Sequence, residues 1–328
     1  MYVNRIYSSE VPEFVKEFAE TDIMQRLRDI GMDCGCEYTS FACWQGLMPA
    51  KRYEHSIGVG LITWNFTKDT KQAIAGLLHD VSSPVFAHVV DFMNHDYISQ
   101  ESTESETRQM IENSAQVQKL LGKYGLTTDE VCDYHMYPIA DNDSPKLSAD
   151  RLEYTMRNFY RYLHLSSEQI ASYYNDLTVV KNEAGEDELA FRTLSLAEEF
   201  TLHTIETSRI YIQDADRYSM EVLGRILKKA LELKVLEYGD LYDGEGAVIE
   251  KLKGNEETSK LWDWFCSISM METSDRPLDE QWIKVLAKKR YINPLVEGKG
   301  RIMDLSGKVR ETIDEFLDNS FDYYLKAK

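Results

Sequence analysis

Apolar positions recur at three- and four-residue intervals along most of the chain, the spacing that turns one face of a helix toward a core. Residues 10–30 carry Phe14, Phe18 and Met24 on such a face and end near Gly31, which predicts an opening amphipathic helix. Residues 31–50 lose the pattern and gather Gly, Cys, Ser and Thr between aromatics, the composition of a structured loop or a short extended pair. Helices are then predicted over 52–66, 70–81, 85–93, 101–121, 128–135 and 148–163, each bounded by Gly, Pro, Asn, Asp or Ser. One stretch breaks the habit. Residues 177–180 and 188–191 flank a turn-prone segment containing Gly185, and together they read as a β-hairpin. Helical spacing returns over 194–236. Gly239, Gly244 and Gly246 then mark a boundary between a core of residues 1–236 and a smaller lobe of residues 237–328. In that lobe Trp262 and Trp264 are expected as core, with Trp282, a strand at 290–296 and a closing helix near 307–325. The fold class expected is mostly α, with a small β-hairpin and an α+β C-terminal lobe.

Composition narrows the function. The 328 residues include 56 acidic and 37 basic side chains, a formal charge of −19. A carboxylate-dominated surface repels phosphate backbones and anionic lipid, which excludes a general nucleic-acid binder and an electrostatically held membrane protein. An anionic substrate remains compatible if a metal, Arg or Lys reverses the field locally. The five cysteines are odd in number and form no CxxC pair, so neither a disulfide framework nor a zinc ribbon is expected. The opening residues have no apolar signal run and no stretch is apolar enough to span a bilayer, so a cytoplasmic protein is expected.

The histidines carry the chemistry. His79 is followed directly by Asp80 at the end of the apolar run Ala73-Ile-Ala-Gly-Leu-Leu78. An imidazole beside a carboxylate at the end of a buried helix demands compensation, and a divalent cation supplies it. His55 lies on a second apolar-faced helix whose Gly58 and Gly60 permit close approach of a neighbour. A satisfied core histidine would have to arise independently at both positions. His88 and Asp91 are three apart on a predicted helix, so the carboxylate can orient the imidazole.

Four ordered motifs, Arg52-Tyr-Glu-His55-Ser-Ile-Gly-Val59, Ala75-Gly-Leu-Leu-His79-Asp80, Phe86-Ala-His88 and Ser148-Ala-Asp150-Arg-Leu-Glu-Tyr154, closely resemble the HD-domain metal-dependent phosphohydrolases. Within them the deoxynucleoside-triphosphate triphosphohydrolase branch is the most similar, with the resemblance strongest over residues 25–161. The resemblance implies an HD-domain helical core and makes His55, His79, Asp80 and Asp150 the ligands of one divalent metal: manganese, iron, zinc, nickel or magnesium. It gives Arg52 a phosphate contact, places Tyr154 at the substrate and makes His88, with Asp91, a proton donor or acceptor. Arg209 and His203 are its candidates for basic groups on a later helix. Two imidazoles and two carboxylates nearly neutralise such an ion and leave room for water and a phosphate oxygen.

Two departures stand out. Ser83 occupies the place of an extra active-site histidine, and Gln100-Glu101 stands where the branch has a His-Glu pair, so Glu101 keeps the acid and Gln100 replaces the imidazole. Ser and Gln still hydrogen-bond substrate but carry no positive charge, and Asp33 in the loop after the first helix would oppose an anion. A shorter or less charged substrate is therefore favoured over a triphosphate. The function expected is hydrolysis of a phosphate ester or anhydride of a nucleotide or related small molecule. The alternative is a metal-containing nucleotide sensor with little turnover. A di-iron oxygenase on the same fold would need more histidine ligands, for which His95 and His135 are the spare candidates. The expected partner is a small phosphorylated substrate, a nucleotide foremost, with self-association into a homo-oligomer left open.

Overall fold

The structure, a computed structural model, describes residues 4–98 and 106–328. Among these are sixteen α-helices and two small sheets. The central pair is Arg52–Thr67 and Thr70–Leu78, turned back on each other through Lys68 in left-handed backbone and Asp69, whose carboxylate caps Lys71 and Gln72. They pack closely because a side chain at Gly60 would fall 3.0 Å from Leu77 Cβ and 3.2 Å from Ala73 O. The Ala149–Tyr162 helix, capped by Ser148, lies across the first of the pair. Leu194–Tyr211 and Asp214–Glu232 complete the core, around fully buried Phe159, Phe191, Phe200 and Leu223.

The expected opening helix is broken. Glu13–Ala19 and Asp22–Arg26 are separate, divided at Thr21, and a 3-10 turn over Leu27–Asp29 follows. Thr21 turns its hydroxyl back to Phe18 O at 2.6 Å, a local bond that competes with helix continuation. Residues 31–50 form two 3-10 turns and an antiparallel bridge between Gly31 and Lys51. The 70–81 helix stops at Leu78, so His79 and Asp80 lie just past its end. The 85–93 helix shrinks to Val89–Met93, and 128–135 resolves into two 3-10 turns. The described part of 101–121 divides at Ser114, which accepts from Val117 N–H as the cap of Ala115–Tyr124. A helix over Ser167–Asn175, capped by Ser166, was not read from the pattern.

The hairpin forms in register Leu177↔Phe191 to Lys181↔Asp187. Leu295–Val296 adds parallel to its inner strand and Gly300–Arg301 extends the sheet, so residues beyond 237 share a sheet with residues before it. Only Leu295–Val296 of the expected 290–296 strand pairs. The last helix ends at Leu317, and Tyr324–Ala327 is a strand against Met271–Ser274. Trp262 is buried as expected, whereas Trp264 is largely exposed. No helix among the described residues is long and apolar enough to cross a membrane, and all five cysteines are free.

Candidate metal centre

The paired helices and the Ala149–Tyr162 helix bring four side chains to one point. His55, His79 and Asp80 offer ligand atoms within 4.8 Å of one another, all three buried. Asp150 joins them: its Oδ1 lies 3.1 Å from His55 Nε2 and 3.9 Å from His79 Nε2. Asp80 Oδ2 is 3.7 Å from His55 Nε2 and 3.5 Å from His79 Nε2. Each imidazole is held from behind, His55 Nδ1 on Glu153 Oε2 at 2.7 Å and His79 Nδ1 on Gly76 O at 2.8 Å. Those bonds hold each ring by Nδ1 and turn Nε2 toward the carboxylates, where it would give its lone pair to a metal once one is bound, the arrangement of a metal-ligating histidine.

Asp80 Oδ2 supplies the test of fit. It is buried with no hydrogen-bond partner, while Oδ1 accepts from Arg52 Nη1 at 2.5 Å and Ser83 Oγ at 2.8 Å. A buried carboxylate oxygen without a hydrogen-bond partner, facing the two Nε2 atoms at 3.5 and 3.7 Å, is best compensated by a cation among them, so the residues fit a divalent metal. The electrostatics agree. Burial raises the Asp80 carboxyl, but Arg52, His79, His55 and Ser83 together hold it well below the usual range. Asp150 is likewise held down against burial, by His55 and His79. For His55 burial acts downward, yet the bonds to Asp150 and Glu153 push it up to about 9, so the cluster draws positive charge.

Supporting residues explain the local sequence. Glu153, three residues after Asp150 on the same helical face, is fully buried between His55 and the Arg157 guanidinium, which keep it ionised against burial. Gly58 makes room for it: a Cβ there would fall 2.5 Å from Glu153 Cγ and 2.6 Å from Oε1. The turn after Asp80 is clamped by Arg26 Nη2, which donates to Val81 O at 2.8 Å and Ser83 O at 2.6 Å. It then passes through buried Phe86 and Ala87 at φ 57° and 48° before reaching His88. Two consecutive non-glycine residues in left-handed backbone cost about 1–3 kcal/mol each and persist where the surroundings impose them.

His88 is half-buried, with Nδ1 2.9 Å from Asp91 Oδ2. Burial lowers its pKa more than Asp91 raises it, and Arg290 and Arg52 lower it further. Tyr154 stands one turn beyond Asp150; burial raises its hydroxyl, and Arg290 and then Arg151 act against the rise. Cys34, at φ 53°, lies against the backbone N–H of His88 and beside Arg52. Burial pushes its thiol up to about 12, which makes it a protonated wall rather than a nucleophile.

Other expected residues fall elsewhere. Ser83, read as substrate-binding, spends its hydroxyl on Asp80 and is fully buried. Arg209 is exposed in the last turn of Leu194–Tyr211, whereas Tyr211 from that turn reaches Asn158 at 2.6 Å. Gln100 and Glu101 lie outside the described residues. Asp33 does not oppose an anion, because Arg161 grips it at 2.5 and 2.9 Å and Tyr162 donates at 2.8 Å. His95 pairs with Tyr97, His135 with Asp141 and His203 with Tyr173, so each is engaged away from the cluster. Two contributors were not singled out from the sequence. Glu153 had a signal, an acid at i+3 from a ligand; Tyr134, 3.5 Å from Asp150 Oδ2 with its ring 4.8 Å from that of His79, had none.

No family model matches the chain. Its fold resembles the crystal structure of a phosphohydrolase (BT4208) from Bacteroides thetaiotaomicron, with a TM-score of 0.63 at 14% identity over 97% of this chain and 96% of that one. It is 24% identical over 312 residues to the metal-dependent phosphohydrolase cns2 of Cordyceps militaris, covering 90% of this chain and 85% of the relative. The uncharacterized protein YdhJ of Bacillus subtilis is 30% identical over 251 residues, 75% of this chain and 74% of the relative. At that identity and coverage, the chain belongs to the same family as YdhJ.

Proposed function

We propose that the protein is a metal-dependent phosphohydrolase of the HD-domain type, cleaving a phosphate ester or anhydride of a nucleotide or related small molecule. The observation that carries this reading is the orphaned Asp80 Oδ2, buried where the Nε2 atoms of His55 and His79 and the Asp150 carboxylate converge. The name of the Cordyceps relative and the fold of the Bacteroides neighbour support it. In this reading residues 1–236 form the HD core and 237–328 a smaller lobe, and five free thiols suit a reducing cytoplasm.

His55, His79, Asp80 and Asp150 would hold the metal. When bound, such an ion lowers the pKa of water and polarises a phosphoryl oxygen. Arg52 orients Asp80 through Nη1, and its Nε–H, buried without a partner, offers a donor to phosphate. His88 is neutral at pH 7 because burial lowers its pKa. With its Nδ1 proton on Asp91, Nε2 is free to take a proton from the attacking water and return it to the leaving group. Glu153 fixes the tautomer of His55, and Tyr134 braces Asp150 and covers His79.

The test is phosphate release over a panel of mono-, di- and triphosphate nucleotides with added manganese, in wild type and Asp80→Ala. Release that needs metal and vanishes in the variant is the expected result. Nucleotide binding without release would replace the enzyme by a sensor.

A further inference from the structure

The two histidines of the cluster are held from behind in different ways. His79 leans on Gly76 O, a helix carbonyl that cannot move, whereas His55 leans on the Glu153 carboxylate at the end of a side chain with several rotatable bonds. That carboxylate is gripped in turn. Glu153 Oε2, 2.7 Å from His55 Nδ1, also accepts from Arg157 Nε at 3.3 Å, and Oε1 accepts from Arg157 Nη2. The same Nη2 reaches around to the backbone of the ligand. It donates at 3.1 Å to Glu54 O, the carbonyl just before His55, and at 3.0 Å to Asn4 Oδ1. Asn4 closes the ring, with its Nδ2 donating to Glu54 O at 3.0 Å. Glu153 and Arg157 are both buried, so each depends on the other rather than on solvent.

Asn4 is itself anchored. Asn4–Tyr7 forms a single helical turn packed on the Arg52–Thr67 helix. Tyr7 is buried with its ring 5.2 Å from that of Tyr174, whose hydroxyl donates to Tyr7 O at 3.1 Å and accepts from Asn65 Nδ2 at 3.0 Å.

We propose that Arg157 is a positioning residue of the candidate metal centre, locked by Asn4, and that this clamp sets how tightly His55 ligates the ion. The inference rests on the metal reading above and deepens it. A ligand imidazole is effective when the group behind it fixes the ring, and a flexible carboxylate fixes nothing until its own rotamer is fixed. A planar guanidinium contacting both oxygens removes that freedom. Spacing makes the grip possible, because Glu153 and Arg157 lie four apart and share a helix face. The bond to Glu54 O adds a second hold, so one side chain steadies the ring of His55 through Glu153 and its backbone through the preceding carbonyl. Asn4, about 50 residues before His55, thereby becomes part of the support of the cluster.

The experiment titrates cobalt(II) into the full-length protein, stripped of metal, against a competing chelator, and reads the visible absorption of the bound ion. Arg157→Gln should weaken cobalt binding about 10–100-fold and alter the band of the cobalt that still binds. Arg157→Lys keeps the charge but not the fork and should recover part of that loss, remaining about threefold or more below wild type. Asn4→Ala leaves the Arg157–Glu153 pair intact and should cost about threefold. Arg161→Gln is the control. It breaks another buried Arg–carboxylate pair on the same helix, with Asp33, which lowers the melting temperature but should leave cobalt affinity within about twofold. If Arg157→Gln does not fold, Arg157→Lys and Asn4→Ala carry the test. Wild-type affinity and spectrum in both of these, or an equal loss in Arg161→Gln, overturns the inference. A wild type that binds no cobalt defeats the metal reading and the inference together. Arg157-dependent cobalt binding without phosphate release from any substrate leaves the inference standing and defeats the hydrolase reading alone.

Discussion

Two groups of buried and half-buried carboxylates sit near each other in this fold, and they solve the same problem in opposite ways. Asp80, Asp150 and Glu153 are each held below the usual range despite burial, because Arg52, His55, His79 and Arg157 surround them. Glu37, Glu245 and Asp216 are each raised, by burial first and then by neighbouring carboxylates. Glu37 reaches about 8 and keeps a proton at neutral pH. Glu245 is satisfied by neutral donors, Gly31 N–H at 2.7 Å and Tyr38 Oη at 2.9 Å, with Lys51 Nζ no nearer than 3.9 Å. Asp33, which raises Glu37 and Asp216, is itself neutralised by Arg161. Burial alone therefore does not make a cation site. Ionised oxygens converging with the Nε2 atoms of two anchored imidazoles do, and a carboxylate lacking such neighbours takes up a proton instead.

Breaking the ionised group should have the largest effect. Asp80→Ala removes a ligand and strands Arg52, so metal should be lost and phosphate release should fall by about a thousandfold or more, measured with saturating manganese. Next comes its support. Gly58→Ala forces Glu153 off His55, and metal affinity should drop about 10–100-fold by competition with a chelator, with Glu153→Gln giving a similar loss.

The proton-bearing group should report through pH. Glu37 keeps its proton up to about pH 8 when folded, against an ordinary value of 4.5 for the unfolded chain. Its contribution to stability is thus complete below about 4.5 and lost as pH rises through about 8. The melting temperature should fall by about 2–4 °C between pH 6 and pH 9, and Glu37→Gln should flatten that slope. A melting temperature that rises over this interval would put the ionised form of Glu37 in the folded protein. Smallest is Lys51→Met, which removes the one cation moderating Glu37 and Glu245 and should steepen the alkaline fall by about 1 °C or less.

The contrast also explains what was legible in the sequence. His55, His79, Asp80 and Asp150 could be named because each sits in a motif on a regular helix or at its end, where spacing translates directly into a shared face. The Arg52–Thr67 and Ala149–Tyr162 helices and the hairpin were readable for the same reason. Residues 10–30 were misread because Thr21 bonds backward to Phe18 O, a choice that apolar spacing does not encode. Ser83 was assigned to substrate because its use on Asp80 depends on a tight turn in which its own N–H also bonds back to Asp80 O, a local choice that motif spacing does not encode. Tyr134 was invisible, since it sits in a 3-10 turn with no apolar period to place it. The charge of −19 pointed away from polyanions, and Arg52 beside the ligand cluster brings positive charge to that one point.

His55, His79, Asp80 and Asp150 are proposed to hold one divalent metal. Metal analysis of the full-length protein, purified without added metal and then dialysed against manganese and metal-free buffer in turn, tests it most directly. Wild type should retain about one tightly held divalent ion per chain, and Asp80→Ala prepared alongside about none. A wild-type chain that retains no ion in either preparation, or an Asp80→Ala chain that retains as much as wild type, would contradict it.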